Sequence, residues 1–244
     1  LINHGADVNV KGGQYGTPLQ AAAYAADIDT VKLLLKKHAK VDLTGGEYGC
    51  ALQAAAISGN VDVVKELLDY KADVDNPAGK FGFPLQAAAV AGHLEILQIL
   101  LDHGAKPNNE GGLHGFALLA AASRKDNGKC VELLLERRAN VALEGGLLGS
   151  VVQAAAYGNN FSILEKLIER GANIHAKNGK YGHALQAAAL KAEVDFFDAL
   201  VVKGVDVGYR GGKYDTALQA AAYADRLDLV EKLINLNADF RIKG

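Results

Sequence analysis

Seven histidines, two cysteines and a series of glycine-rich elements are the residues through which this 244-residue chain could perform chemistry. The histidines (His4, His38, His93, His103, His114, His175 and His183) are scattered. No His-x-x-x-His or His-Glu-x-x-His pair sets two imidazoles on one helix face for a metal. Cys50 and Cys130 lack the spacing of a zinc site or redox pair, so two free thiols in a reducing compartment are expected. Neither a Gly-x-x-x-x-Gly-Lys-Ser/Thr phosphate loop nor a Gly-x-Ser-x-Gly nucleophile turn occurs. The Gly-Gly-x-Tyr-Gly elements lack the strand-turn-helix setting and terminal lysine of a phosphate cradle. A lone sequon, Asn160-Phe161-Ser162, carries no weight by itself. No catalytic, metal or cofactor residue is assigned, and neither an enzyme nor a small-molecule substrate is expected.

Recognition of another protein is the chemistry that remains. Two series of large side chains recur along the chain. One occupies the fourth position of each glycine-rich element: Tyr15, Tyr48, Phe81, His114, Leu148, Tyr181 and Tyr214. The other follows each run of alanines: Tyr24, Ile57, Val90, Ser123, Tyr157, Leu190 and Tyr223. Aromatic side chains bring contact area with few torsions to freeze, which is why they dominate interfaces. They pack equally well on one another. The uniform first series suits packing against the next element, and the more varied second series suits partner binding. Apart from Ser123 and Leu148, all are candidate partner-binding residues.

These series exist because the chain is one unit written seven times. Leu19-Gln20-Ala21-Ala22-Ala23 returns at Leu52, Leu85, Leu118, Val152, Leu185 and Leu218. Full units span 12–44, 45–77, 78–110, 111–144, 145–177, 178–210 and 211–243, preceded by the tail of another at 1–11. The whole of 1–244 then reads as a single array. Each unit predicts two short antiparallel helices and a projecting hairpin. Thr17 is a natural N-cap, and Pro18 suits the first helical position, where its missing N–H costs nothing. The alanines allow neighbouring helices to approach closely. Asp29 is expected to cap the second helix, whose Val31, Leu34 and Leu35 share one face, as do Val64, Leu67, Leu68 and Leu164, Leu167, Ile168. Two helices cannot bury such a face alone, so the fold class is an all-α repeat solenoid with hairpin loops. The second helix should end in a left-handed residue. Gly5, Gly104, Gly171, Gly204 and Asn237 suit that position, whereas His38, Lys71 and Arg138 should each cost roughly 1 kcal/mol relative to glycine. One extra residue falls within Ser123 to Lys129.

With Gly16-Thr17-Pro18-Leu19, paired helices, a 33-residue period and Gly5-Ala6-Asp7-Val8-Asn9, the chain resembles the ankyrin repeat over its whole length. Two departures stand out. Glutamine replaces the usual histidine at Gln20, Gln53, Gln86, Gln153, Gln186 and Gln219, with Leu119 in the fourth unit. The hairpin tip is Gly-Gly-x-aromatic-Gly. In both respects the chain looks like the arrays of fungal NACHT-type nucleotide-binding proteins. That resemblance implies a ligand-sensing, non-catalytic, cytoplasmic module that binds a protein along its concave side. A scaffold unrelated to NACHT receptors and an array masking an attached enzyme are the alternatives. The glutamines should act as struts between hairpins, and Leu119 should interrupt that row, leaving nearby backbone groups to water or each other.

A formal net charge of −2 provides no basic field for nucleic acid, and the longest apolar run, Phe116 to Ala122, is far short of the ~20 residues that span a bilayer. Charge is nevertheless uneven. Residues 1–122 carry 9 lysines against 13 acids, and residues 123–244 carry 17 basic against 15 acidic residues. Lys177, Lys180, Arg210 and Lys213 cluster at adjacent hairpins, which would steer an acidic partner. The absence of methionine, Leu1 entering mid-helix, and an interior-looking face at Val230, Leu233 and Ile234 suggest a segment cut from a longer array.

Overall fold

In a computed structural model the chain divides into two compact units, residues 1–117 and 118–244, within which residues 7–236 are described. Leu1, His4, Gly5 and Asn237, and the features expected of them, lie outside the described residues. The first unit contains α1 (Pro18–Tyr24), α2 (Ile28–Lys36), α3 (Ala51–Ser58), α4 (Val61–Asp69), α5 (Pro84–Ala91) and α6 (Leu94–Asp102). At its end begins α7 (Ala117–Ala122). The second unit continues with α8 (Gly128–Glu136), α9 (Val151–Tyr157), α10 (Leu164–Glu169), α11 (Ala184–Lys191), α12 (Val194–Val202), α13 (Ala217–Tyr223) and α14 (Leu227–Asn235).

Within each unit the first helices of successive repeats pack on one another, α1 on α3 on α5 and α9 on α11 on α13. Their alanines are the reason. Ala54, Ala55, Ala56 and Ala87, Ala88, Ala89 are completely buried, and so are Ala154, Ala155, Ala156 and Ala187, Ala188, Ala189. The second helices bury the predicted stripe at Val31, Leu34, Leu35 and at Val64, Leu67, Leu68. Three details differ from expectation. Asp27 caps α2, accepting from the Thr30 N–H at 3.1 Å, because the helix already starts at Ile28 and leaves Asp29 in its first turn. A 3-10 turn over Phe161–Ile163 leads into α10, so Ile163 joins Leu164 and Leu167 in the core and Ile168 is only half-buried. On α14, Leu229 and Leu233 are buried, Val230 is half-buried, and Ile234 is exposed, because the inward stripe runs through Leu229.

The left-handed positions fall where the sequence places them. Gly104, Gly171 and Gly204 have φ near +90° to +80°, and His38, Lys71 and Arg138 adopt +65°, +63° and +66°. The extra residue of the fourth repeat lies in the turn between α7 and α8.

Hairpins are narrower than strands. Gly12–Gly16, Gly45–Gly49, Ala78–Gly82, Gly111–Gly115 and Gly145–Gly149 each close with one antiparallel bridge. A side chain at Gly49, where φ is +78°, would meet the carbonyl carbon of Ala78 at 2.6 Å, so hairpins stack too closely for any residue but glycine there. The tips then join by one backbone bond per repeat. In the first unit, Glu47 N–H donates to Gln14, Lys80 to Glu47 and Leu113 to Lys80. In the second, Lys180 N–H donates to Leu147 at 2.7 Å and Lys213 N–H to Lys180 at 2.8 Å.

Candidate functional site

Gln20, Gln86 and Gln153 each have two tasks. Gln20 Oε1 accepts from the N–H of its own N-cap, Thr17, at 2.6 Å, while Nε2 donates to the carbonyls of Leu43, Gly45 and Gly49 in the next hairpin. Gln86 and Gln153 repeat the arrangement, reaching Gly115 at 2.7 Å and Asn178 at 2.6 Å. Gln53 and Gln186 keep the donor role, toward Ala78 and Asp215, but their Oε1 atoms are buried without a partner. These are the repeats whose N-caps are Cys50 and His183. Where Leu119 replaces glutamine, Gly145 and Gly149 exchange both backbone bonds, at 2.7 and 3.1 Å. The backbone groups there satisfy each other.

The struts hold the hairpins at a spacing that brings the two aromatic series together. In the first unit Tyr24, at the end of α1, lies 4.2 Å from Tyr48 of the next hairpin, ring centre to ring centre. Tyr15 completes the group at 5.5 Å from Tyr24 and 6.0 Å from Tyr48. In the second unit Tyr157 stacks on Tyr181 at 5.2 Å, Tyr181 on Tyr214 at 6.2 Å, and Tyr214 meets Tyr223 at 4.8 Å. Hairpin and helix positions thus form one run of rings in each unit, where the sequence suggested two parallel series. Tyr48 is buried, whereas Tyr15, Tyr24 and above all Tyr223, at 69% exposure, present surface. Phe81, His114, Tyr181, Tyr214, Ile57, Val90, Tyr157 and Leu190 are half-buried; Leu148 and Ser123 are buried. No ring stacking joins Ile57, Val90 or Leu190 to the run.

Charge divides the two runs. Lys80 Nζ lies over Tyr48 and Phe81 but is paired with Glu47, which also accepts from Gln14 at 3.1 Å. Its pairing with Lys80 holds the Glu47 carboxyl below the ordinary range. Hydrogen bonding with Tyr24, then burial, pushes the Tyr48 hydroxyl up to about 12. In the second unit lysines alone face the rings: Lys191 over Tyr157 at 4.2 Å, Lys180 over Tyr181 at 5.7 Å, and Lys213 over Tyr214 and Tyr223 at 4.8 and 5.3 Å. A hydrogen bond from Lys191 lowers the Tyr157 hydroxyl pKa, and burial pushes that of Tyr181 up to about 12. These lysine–ring contacts, invisible in the sequence, were foreshadowed only by the basic residues at the hairpin tips.

Elsewhere the titratable groups do structural work. Cys50 and Cys130 are free and buried, and burial pushes both thiols up to about 11. His183, also buried, stacks on Tyr209 at 4.9 Å, and desolvation pushes it down to about 4. Among the described residues no group of three or more His, Cys, Asp or Glu side chains could hold a metal, and no helix is long and apolar enough to cross a membrane.

Stacked helix pairs and glycine-tipped hairpins define a protein built from helical repeats. The chain belongs to the ankyrin-repeat family: the family model described as ankyrin repeats (3 copies) matches residues 1–78, 76–144 and 151–243. Among solved structures the chain is similar to the human ASB11 ankyrin repeat domain, with a TM-score of 0.71 and 26% identity over 93% of this chain and 100% of that one. No curated protein matches it. The fold is an all-α repeat solenoid of the ankyrin type, generally a module for protein–protein interaction rather than catalysis.

Proposed function

We propose that this protein binds a protein partner along the face formed by its hairpin tips and first helices, without catalysis, cofactor or small-molecule substrate. The observation that carries this reading is the run of tyrosines in each unit, stacked at one edge and open to solvent at Tyr15, Tyr24 and Tyr223. Stacking pre-orders the rings, so less side-chain freedom is lost on binding. Ile57, Val90 and Leu190 add apolar area beside them. Substituting Tyr24 and Tyr223 with alanine should reduce capture of the natural partner at least tenfold, and Tyr223→Ala alone should leave thermal unfolding nearly unchanged because that ring is 69% exposed. Capture equal to the parent protein would overturn the reading.

The Gly-Gly-x-aromatic-Gly hairpins and glutamine struts support a narrower proposal. The chain is a single continuous array serving as the ligand-sensing region of a cytoplasmic fungal NACHT-type signalling protein. Two buried free thiols suit that reducing compartment. A phosphate-binding loop encoded in the same gene would support this assignment, and a gene lacking one would reject it.

A further inference from the structure

We infer that the hairpin row of the second unit, at Lys180 and Lys213, takes an acidic, extended segment of the partner protein. This rests on the partner-binding reading above and names the chemistry of what is bound. The third hairpin position is Gln14, Glu47, Lys80 and Leu113 in the first unit and Leu147, Lys180 and Lys213 in the second. In the first unit the row is internally neutralised: Glu47 pairs with Lys80 on one side and accepts from Gln14 on the other. In the second unit two lysines occupy neighbouring hairpins joined by the Lys213–Lys180 backbone bond of 2.8 Å, so like charges adjoin. Adjacent like charges disfavour the folded state unless something offsets them.

Nothing among the described residues does so with a carboxylate. Lys32, Lys65, Lys106, Lys125, Lys166, Lys203 and Lys232 each pair with an acid from another repeat of their unit. Lys180, Lys213 and the nearby Lys191 contact tyrosine rings instead. All three are exposed. An acidic side chain laid across the tips would fill the role that Glu47 plays in the first unit. The tyrosines below would cover the segment's apolar parts.

The test uses the full chain and a fluorescein-labelled twelve-residue oligoglutamate, followed by fluorescence anisotropy at low and raised salt. Binding that weakens with salt is expected. It should weaken at least tenfold in Lys180→Gln/Lys213→Gln and remain within twofold of the parent in Lys166→Gln/Lys203→Gln. The second pair removes the same charge from the same unit elsewhere. Equal losses in both double variants would reduce the effect to net charge and overturn the inference. Absence of oligoglutamate binding, or tighter binding of a twelve-nucleotide oligothymidylate, would also overturn it. Those failures leave the tyrosine face untouched, because Tyr24→Ala/Tyr223→Ala is read on capture of the natural partner.

Discussion

His183 shows how one residue can make a repeat differ from its neighbours. Thr17, Ser150 and Thr216 cap their helices through a side-chain oxygen that accepts from the glutamine N–H three residues on. His183 occupies the same position in α11 without such a bond, and both its Nδ1 and the side-chain Oε1 of Gln186 are buried without a partner. Burial lowers its pKa from 6.5 to about 4, with Asp206 opposing and His175 and Lys177 reinforcing the shift. The folded ring is therefore neutral where the unfolded ring already binds a proton. Stability contributed by this group is full above pH 6.5 and declines as pH falls toward 4. His183→Thr should reduce the loss of urea midpoint between about pH 7 and about pH 4.5, while an unchanged loss would show that other groups carry it. The sequence contained the odd cap but not its burial, which depends on Tyr209, 26 positions away.

At the scale of elements, the left-handed ends of the second helices are the clearest local cost. His38, Lys71 and Arg138 hold φ near +65° although each carries a Cβ. Lys71→Gly should raise stability by up to about 1 kcal/mol in urea unfolding, and Gly104→Lys should lower it by a similar amount. Loss of stability in Lys71→Gly would show that the lysine makes compensating contacts. Helix positions, left-handed ends and buried alanines were legible in the sequence because they depend on local geometry and a repeated period. The cap of α2 was misplaced by two residues, since Asp27 and Asp29 are both competent caps and the path of the preceding turn decides between them. The hairpin-tip bonds were not legible at all: they join residues a whole repeat apart through backbone atoms, which no side-chain pattern reports.

For the whole molecule, stability within a unit is built from neighbouring repeats, so coupling should decay with repeat separation. Gln20 and Gln86 reach different hairpins and share no partner, whereas Gln53 extends from the repeat whose hairpin Gln20 holds. Gln20→Ala should cost about 2 kcal/mol by leaving several carbonyls and the Thr17 N–H unpaired. Combined with Gln86→Ala the costs should add within about 0.5 kcal/mol, while the Gln20→Ala/Gln53→Ala pair should depart from additivity. Strong coupling in the distant pair would contradict nearest-neighbour stabilisation. The sequence by itself determined the repeat, its helices, its glycines and the positions of the large side chains, because each follows from chain-local sterics repeated at a fixed interval. Only the tertiary structure decided that two aromatic series become one stacked run, that Tyr48 is covered while Tyr223 is open, and that Lys180, Lys191 and Lys213 face rings rather than carboxylates. Those outcomes depend on the distance between neighbouring hairpins, which glycine tips and glutamine struts set jointly across repeats.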